Sequence, residues 1–141
     1  MDASFVIDNS VVMAWAFEDE TTSYTDAILE RLATTAAIVP VIWPLEVVNV
    51  LLVAERRQRL TQADSIRFIT LLSLLPIYIE PGWHHDHMEK LLAIGRANNL
   101  SSYDASYLYL AMQKGLPLAT LDHKLMAAAE QTKIPLVRNI S

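Results

Sequence analysis

The chain has no cysteine among its 141 residues, and it has only three glycines. The lack of cysteine excludes disulfide bonds and thiolate metal sites, and it fits a protein that works in a reducing compartment. We therefore expect a cytoplasmic location. Because glycine marks turns and loops, so few glycines predict short connections between regular elements.

Long apolar runs are also missing. Apolar runs such as residues 50–54 are far shorter than the ~20 residues that a membrane-spanning helix requires. The N-terminus has no basic segment followed by an apolar stretch, so we expect no secretion signal and no membrane association. Hydrophobic residues nevertheless make up 52% of the chain, and the mean hydropathy is +0.25. This size and composition predict a single folded domain over residues 1–141.

Short apolar segments alternate with helical patterns along the chain. Strands are predicted at residues 4–7, 37–41, 77–80, 118–121 and 136–137. Helices are predicted at residues 11–17, 21–34, 44–58, 61–75, 83–98, 101–115 and 122–131. This alternation predicts an α/β fold of three layers, in which helices cover both faces of a central, mostly parallel sheet of about five short strands.

Four acidic residues, Asp8, Glu46, Asp104 and Asp122, have mainly apolar neighbours in the sequence. Asp8 and Asp122 directly follow predicted strands, whereas Glu46 and Asp104 lie in the first turns of predicted helices. Ligands bind beyond the carboxyl ends of parallel strands, so all four acids can meet at that edge of the sheet. Four carboxylates in one place would repel one another, and a hard divalent cation is the simplest remedy.

Helix capping is the simpler explanation for these acids. An acid in the first turn of a helix complements the helix dipole and accepts hydrogen bonds from free N–H groups. Asp122 can be an ordinary N-cap, and Asp104 can form a capping box with Ser101. Glu46 is harder to explain, because its helix is apolar over much of its circumference and predicts a buried side chain. Asp8 is the hardest, because it ends an apolar run typical of a central strand.

The net charge of −5 argues against a general nucleic-acid-binding surface. Setting the four candidate ligands aside leaves 12 acids against 11 bases, however, so composition does not exclude a nucleic-acid substrate. Arg56, Arg57 and Arg59 form a basic run that can contact phosphate. They also lie at a predicted helix C-terminus, where cations are favoured for structural reasons alone.

Two further groups of residues favour structural interpretations. The tract at residues 84–87, His-His-Asp-His, lies at a predicted helix start, where adjacent side chains diverge, so we interpret it as a solvated helix end rather than a metal site. Tyr103, Tyr107 and Tyr109 are interpreted as packing residues. No phosphate-binding glycine loop, HExxH pair or Gly-x-Ser-x-Gly elbow occurs in the sequence.

Four segments, in order along the chain, carry a more specific pattern. They are residues 6–10 (Val-Ile-Asp-Asn-Ser), 44–51 (Pro-Leu-Glu-Val-Val-Asn-Val-Leu), 100–108 (Leu-Ser-Ser-Tyr-Asp-Ala-Ser-Tyr-Leu) and 116–122 (Leu-Pro-Leu-Ala-Thr-Leu-Asp). Together they resemble the successive signature segments of PIN domains. The last two are similar to segments of the VapC-type toxins of bacterial and archaeal toxin–antitoxin pairs.

The resemblance implies a compact α/β domain and a ribonuclease activity that depends on Mg²⁺ or Mn²⁺, with one or two ions. It also implies a homodimer, an RNA substrate and a cognate antitoxin whose segment covers the site. The implied catalytic and metal-binding acids are Asp8, Glu46, Asp104 and Asp122. The small polar positions that support such a site are Ser10, Asn49 and Thr120.

Metal ions held by carboxylates can activate a water molecule for phosphodiester hydrolysis. Mg²⁺ usually takes only one or two direct carboxylates, so the four acids need not share one role. We expect Asp8 and Asp104 to be direct ligands and Asp122 to bind directly or through water. Glu46 would bind a second ion or orient the attacking water. Ser10 and Asn49 would orient the carboxylates.

Two other functions remain open from the sequence. A phosphatase or phosphotransfer domain also places an aspartate after the first strand of a parallel sheet. The haloacid-dehalogenase type requires Asp-x-Asp there, whereas this chain has Asp8-Asn9-Ser10. A non-catalytic interaction module that kept the PIN fold is the second alternative, and the intact set of four acids argues against it.

Overall fold

The computed structural model describes residues 2–138 and contains four strands and seven α-helices in that range. The strands are β1 (Phe5–Ile7), β2 (Ala37–Val39), β3 (Ile77–Ile79) and β4 (Leu118–Ala119). The helices are α1 (Asn9–Ala14), α2 (Ser23–Arg31), α3 (Trp43–Arg56), α4 (Gln62–Ser73), α5 (His85–Asn98), α6 (Ser102–Lys114) and α7 (His123–Gln131). A short 3-10 helix (Glu18–Glu20) lies between α1 and α2.

The four strands form one parallel sheet in the order β3-β2-β1-β4. The central strand is β1, in which Val6 pairs with Ile38 of β2 on one side and with Leu118 of β4 on the other. Every residue of β1 is buried, because a parallel sheet is covered by helices on both faces. The predicted three-layer α/β/α architecture is confirmed.

The prediction of a fifth strand at residues 136–137 is wrong. This segment forms a single isolated bridge, between Leu136 and Leu118. Pro135 precedes it and has no N–H with which to extend a ladder. The carbonyl of Val137 accepts a hydrogen bond from the hydroxyl of Tyr24 at 2.8 Å, so it is turned to a side chain instead of a strand. The sheet therefore has four strands in the described part of the chain.

Local sequence signals fix the ends of several helices. Thr61 and Asp64 form a capping box at the start of α4, with reciprocal hydrogen bonds of 2.9 and 3.1 Å. Ser101 is the N-cap of α6, and Gly115 ends that helix in the left-handed conformation at a φ of 63°. These signals act within one helical turn, which explains why they can be found in the sequence.

The helices differ in how deeply they are buried. Residues 105–111 of α6 are all buried, and α6 packs on β1. By contrast, α3 buries one side and exposes another, where Leu45, Val48 and Leu52 are 67%, 45% and 42% exposed. Within residues 2–138, no helix is long and apolar enough to cross a membrane.

Candidate active site

The carboxyl ends of β1 and β4 bring two of the four acids to the same edge of the sheet. Asp8 follows β1 directly, and its N–H donates to the carbonyl of Ala119 in β4 at 2.9 Å. Asp122 is the N-cap of α7, the helix that follows β4. Because β1 and β4 are parallel neighbours, the chain leaves both strands on the same side of the sheet.

Two hydroxyl groups hold the buried carboxylate of Asp8. Ser10 Oγ donates to Asp8 Oδ2 at 2.6 Å, and Thr120 Oγ1 donates to the same oxygen at 2.8 Å. The hydroxyls in turn accept backbone N–H groups, from Leu121 to Ser10 Oγ and from Asp122 to Thr120 Oγ1, both at 3.0 Å. One network therefore fixes Asp8 and the backbone that leads to Asp122.

Helix capping explains the position of Asp122 but not that of Asp104. Asp122 Oδ1 accepts the N–H of Leu125 at 2.9 Å, so one of its oxygens caps α7. For α6 the cap is Ser101, whose Oγ accepts the N–H of Asp104 at 3.2 Å. The carboxylate of Asp104 is therefore not required to cap its own helix, and it is half-buried beside the other acids.

Glu46 accepts a hydrogen bond from Tyr107, a residue that we predicted to have only a packing role. The hydroxyl of the fully buried Tyr107 donates to Glu46 Oε1 at 2.5 Å. Tyr107 lies three positions after Asp104 on α6, so both side chains project from the same face of that helix. This spacing is the signal that could have identified Tyr107. We expected a buried Glu46 side chain, but it is only half-buried, because α3 exposes the side that carries Val48.

Burial and mutual repulsion raise the pKa values of three of these acids. Burial is the main cause of the raised pKa of Asp8, with a smaller contribution from Asp122, while the hydroxyls of Ser10 and Thr120 oppose it. Burial also raises the pKa of Asp104, and the charges of Asp8 and Asp122 add to it, against the opposing charge of Lys124. Each acid is thus close enough to its neighbours to feel their charge.

Glu46 belongs to the same electrostatic group. Burial raises its pKa most, and the charges of Asp8 and Asp104 raise it further, whereas the hydrogen bond from Tyr107 lowers it. The four predicted acids therefore come together as a set. Among residues 2–138, Lys124 offsets part of the negative charge around Asp104, and no cation lowers the pKa of Asp8 or Glu46.

Carboxylate oxygens are the donors that Mg²⁺ and Mn²⁺ prefer, so the chemistry of this set fits a hard divalent ion. Within residues 2–138, no group of three or more His, Asp or Glu side chains has the geometry to hold one ion. A Mg²⁺ site requires only one or two direct carboxylates, with water as the remaining ligands. The residues present are compatible with an ion bound in that way.

Asn49 does not contact, through a hydrogen bond, the carboxylates that it was expected to orient. Its side chain is exposed and makes no hydrogen bond to any of the four acids in the described structure. It lines a groove on α3 together with Phe17, Arg57 and Arg59. Asn9, which directly follows Asp8, is buried, and its Oδ1 has no hydrogen-bond partner among residues 2–138.

The histidine tract has a structural role, as we interpreted it. His84 is the N-cap of α5, and its N–H donates to Nδ1 of His87 at 2.9 Å. The ring of His87 stacks on Trp83, with ring centres 6.0 Å apart. These side chains cap and pack the start of α5.

Comparison with known proteins identifies the family. The PIN domain family matches residues 5–131, which include all four acids. This chain belongs to the PIN domain family. PIN domains are generally nucleases that use divalent metal ions, so membership favours hydrolysis of a phosphodiester over the phosphatase and phosphotransfer alternatives.

A solved structure shows the same PIN fold. The crystal structure of PAE2754 from Pyrobaculum aerophilum matches with a TM-score of 0.69 at 21% sequence identity, over 89% of this chain and 84% of that one. At that identity the similarity concerns the fold alone. No curated protein matches the chain.

Proposed function

We propose that this PIN domain is a ribonuclease that hydrolyses phosphodiester bonds in RNA with the help of Mg²⁺ or Mn²⁺. The observation that carries the proposal is the mutual repulsion of four carboxylates at the end of the central strand. Burial alone would favour neutral side chains there, and the raised pKa values of Asp8, Glu46 and Asp104 show that their charged forms are costly without a function. A bound divalent cation offsets that cost.

The side chains have distinct tasks in this proposal. When bound, the ion supplies Lewis-acid chemistry, lowering the pKa of a water molecule and offsetting charge on the phosphate. Asp8 and Asp104 hold it directly, and Asp122 contributes the oxygen that does not cap α7. Glu46 orients water through Oε2, since Oε1 is held by Tyr107. Ser10 and Thr120 keep Asp8 in one orientation.

Cleavage of RNA by the purified protein tests this function. We expect cleavage in Mg²⁺ or Mn²⁺, none in excess EDTA, and a loss of at least about 100-fold in Asp8→Asn and Asp104→Asn. Both substitutions keep the volume of the side chain, so circular dichroism spectra should match those of the unaltered protein. Full activity in either variant, or in EDTA, would contradict the proposal.

We propose further that the protein is the toxin of a VapBC-type pair, acting on cytoplasmic RNA and held inactive by a cognate antitoxin. The resemblance of residues 100–108 and 116–122 to VapC-type toxins supports this. Expression without an antitoxin should arrest growth, and expression of Asp8→Ala to the same level should not. Equal growth of the two strains would contradict a toxin role.

A homodimer is the third part of the proposal. The exposed apolar side of α3, formed by Leu45, Val48 and Leu52, is a surface of the kind that protein interfaces cover. Analytical ultracentrifugation should give twice the mass of the chain, and Leu52→Glu should give a monomer. A monomeric unaltered protein at the concentrations used for cleavage would refute the dimer and leave the nuclease proposal intact.

A further inference from the structure

A groove of about 310 Å³ runs along α3 away from the four acids. Its lining includes Asn49, Val53 and Arg57. Glu46 and these three residues follow one another at intervals of three or four, so all four lie along one side of the helix. The groove therefore starts one turn from a carboxylate of the site and ends at the basic C-terminus of α3.

The two arginines of this groove are in different electrostatic states. Arg59 forms ion pairs with Asp19 at 3.0 Å and Glu20 at 3.2 Å, and its guanidinium lies 4.2 Å from the ring centre of Phe17. Its charge is thus balanced and its plane is held in place. Arg57 is exposed at the C-cap of α3 and has no ion pair with any residue that the structure describes.

The chemistry of the lining fits a polynucleotide backbone. Arg57 offers an uncompensated guanidinium, which binds phosphate with two parallel N–H groups. Asn49 offers both a donor and an acceptor, as a ribose 2′-hydroxyl requires. The fixed plane of Arg59 offers a surface on which a base can stack. A phosphate contact here also counters the repulsion between RNA and the acids of the site.

We propose that this groove binds single-stranded RNA next to the bond that is cleaved, with Arg57 contacting a phosphate. The proposal rests on the ribonuclease function proposed above and adds a substrate-binding site to it. Arg57 lies eleven positions after Glu46 along α3, a distance of about 16 Å at 1.5 Å per residue. That distance exceeds one nucleotide step, so the phosphate at Arg57 is not the one attacked.

RNA binding can be measured without cleavage in the Asp8→Asn background. The probe is a fluorescent, mixed-sequence, single-stranded RNA, and the readout is its anisotropy over a series of KCl concentrations. Arg57→Ala should weaken binding about three- to tenfold and reduce the slope of log K against log salt by about 0.7, the value for one phosphate contact in a single strand. Arg57→Lys should restore most of the slope, because it keeps the charge.

Arg56→Ala is the matched control, since Arg56 is exposed on the same helix end but does not line the groove. It removes the same charge and the same interaction with the helix dipole, so its affinity and slope should stay close to those of the parent. Equal effects of Arg56→Ala and Arg57→Ala would contradict the groove as an RNA-binding site. General electrostatic attraction would then explain the binding. Failure of the parent to bind RNA at low salt would also contradict the site.

Asn49→Ala separates the two possible roles of that side chain. Substrate binding predicts weaker RNA binding and an unchanged affinity for Mn²⁺, measured by calorimetry on the cleavage-competent chain. A loss of Mn²⁺ affinity with unchanged RNA binding would instead support the orienting role and contradict the groove.

The outcomes distinguish this inference from the proposed function. RNA binding that depends on Arg57 in a protein that never cleaves would support the groove and refute the nuclease. Cleavage with an unchanged KM and an unchanged salt dependence in Arg57→Ala would refute the groove and leave the nuclease standing. Selective binding of an acidic peptide over RNA, lost in Arg57→Ala, would also refute the groove as an RNA site.

Discussion

A fully buried phenol holds a half-exposed carboxylate where the first turn of α3 meets α6. The hydroxyl of Tyr107 reaches Glu46 Oε1 at 2.5 Å and leaves Oε2 as the free oxygen. Without this bond, a glutamate on a half-exposed helix face would sample several rotamers. Side chains that orient a metal site from outside it typically change affinity or activity by 10- to 100-fold when removed. Tyr107 is therefore a positioning residue for Glu46.

Tyr107→Phe removes the hydroxyl and keeps the ring in the core. We expect kcat for RNA cleavage to fall about tenfold, with little change in KM or in the affinity for Mn²⁺, because Asp8 and Asp104 are untouched. In a Glu46→Gln background the same substitution should have little further effect, since the two residues act as a unit.

Tyr109→Phe is the control for this prediction. Tyr109 is buried on the same helix and contacts Trp83, away from the acids. Its hydroxyl should be dispensable for cleavage. Equal losses of kcat in the two variants, or full additivity with Glu46→Gln, would show that Tyr107 acts on folding and not on Glu46.

At the scale of secondary structure, the end of α6 depends on a single glycine. Gly115 has a φ of 63°, in the left-handed region. A Cβ placed there would meet no other atom within 4 Å, so a side chain would not clash. Any cost of a side chain at this position therefore comes from the backbone. A non-glycine residue in the left-handed region costs roughly 1–2 kcal/mol.

Gly115→Ala should lower the free energy of unfolding by about 1–2 kcal/mol in urea denaturation. Gly82→Ala is a matched control, because a Cβ at Gly82 also meets nothing within 4 Å and its φ lies outside the left-handed region. That variant should be unchanged or more stable by up to about 1 kcal/mol, as the unfolded chain loses freedom. Equal stabilities of the two variants would contradict the assignment of the cost to φ.

Helix starts were predictable where the signal lies within one turn. Thr61 and Asp64 form their capping box and Ser101 caps α6, both from local patterns. The fifth strand was mispredicted because the carbonyl of Val137 accepts a hydrogen bond from Tyr24, which is 113 positions away in the sequence. The spacing of Tyr107 from Asp104 could have placed it on the side of α6 that faces the site, but its partner Glu46 is 61 positions away and could not be foreseen. Long-range partners are not visible in a local pattern.

At the scale of the molecule, the carboxylates that we propose as metal ligands destabilise the fold that presents them. Asp8 has a folded pKa above the unfolded value of 3.8, so the folded state prefers its neutral form. As the pH rises from 3.8 through the folded pKa, the native state must lose a proton that it holds more tightly than the unfolded state does. Stability falls across that window and stays lower at neutral pH. Asp104 adds a second contribution of the same sign.

Asp8→Asn should therefore be more stable than the unaltered protein at neutral pH in EDTA, by about 3 °C, the shift produced by about 1 kcal/mol in a domain of this size. The amide oxygen of asparagine can still accept the hydroxyls of Ser10 and Thr120. The advantage should shrink below the unfolded pKa, where both proteins are neutral at this position. Melting followed by circular dichroism over a pH series measures it.

Mn²⁺ should reverse the order of the two melting temperatures, because an ion that binds the folded state stabilises it by about 2.7 kcal/mol at about 100 times its Kd. The unaltered protein should then melt above Asp8→Asn, which gains little from the ion. Glu89→Gln, which removes an exposed acid of α5, should shift neither curve. If Mn²⁺ raised the melting temperatures of the unaltered protein and Asp8→Asn equally, the ion would be binding elsewhere. If instead Asp8→Asn melted lower in EDTA at neutral pH, its carboxylate would stabilise the folded chain, and the trade between stability and metal binding would not exist at this residue.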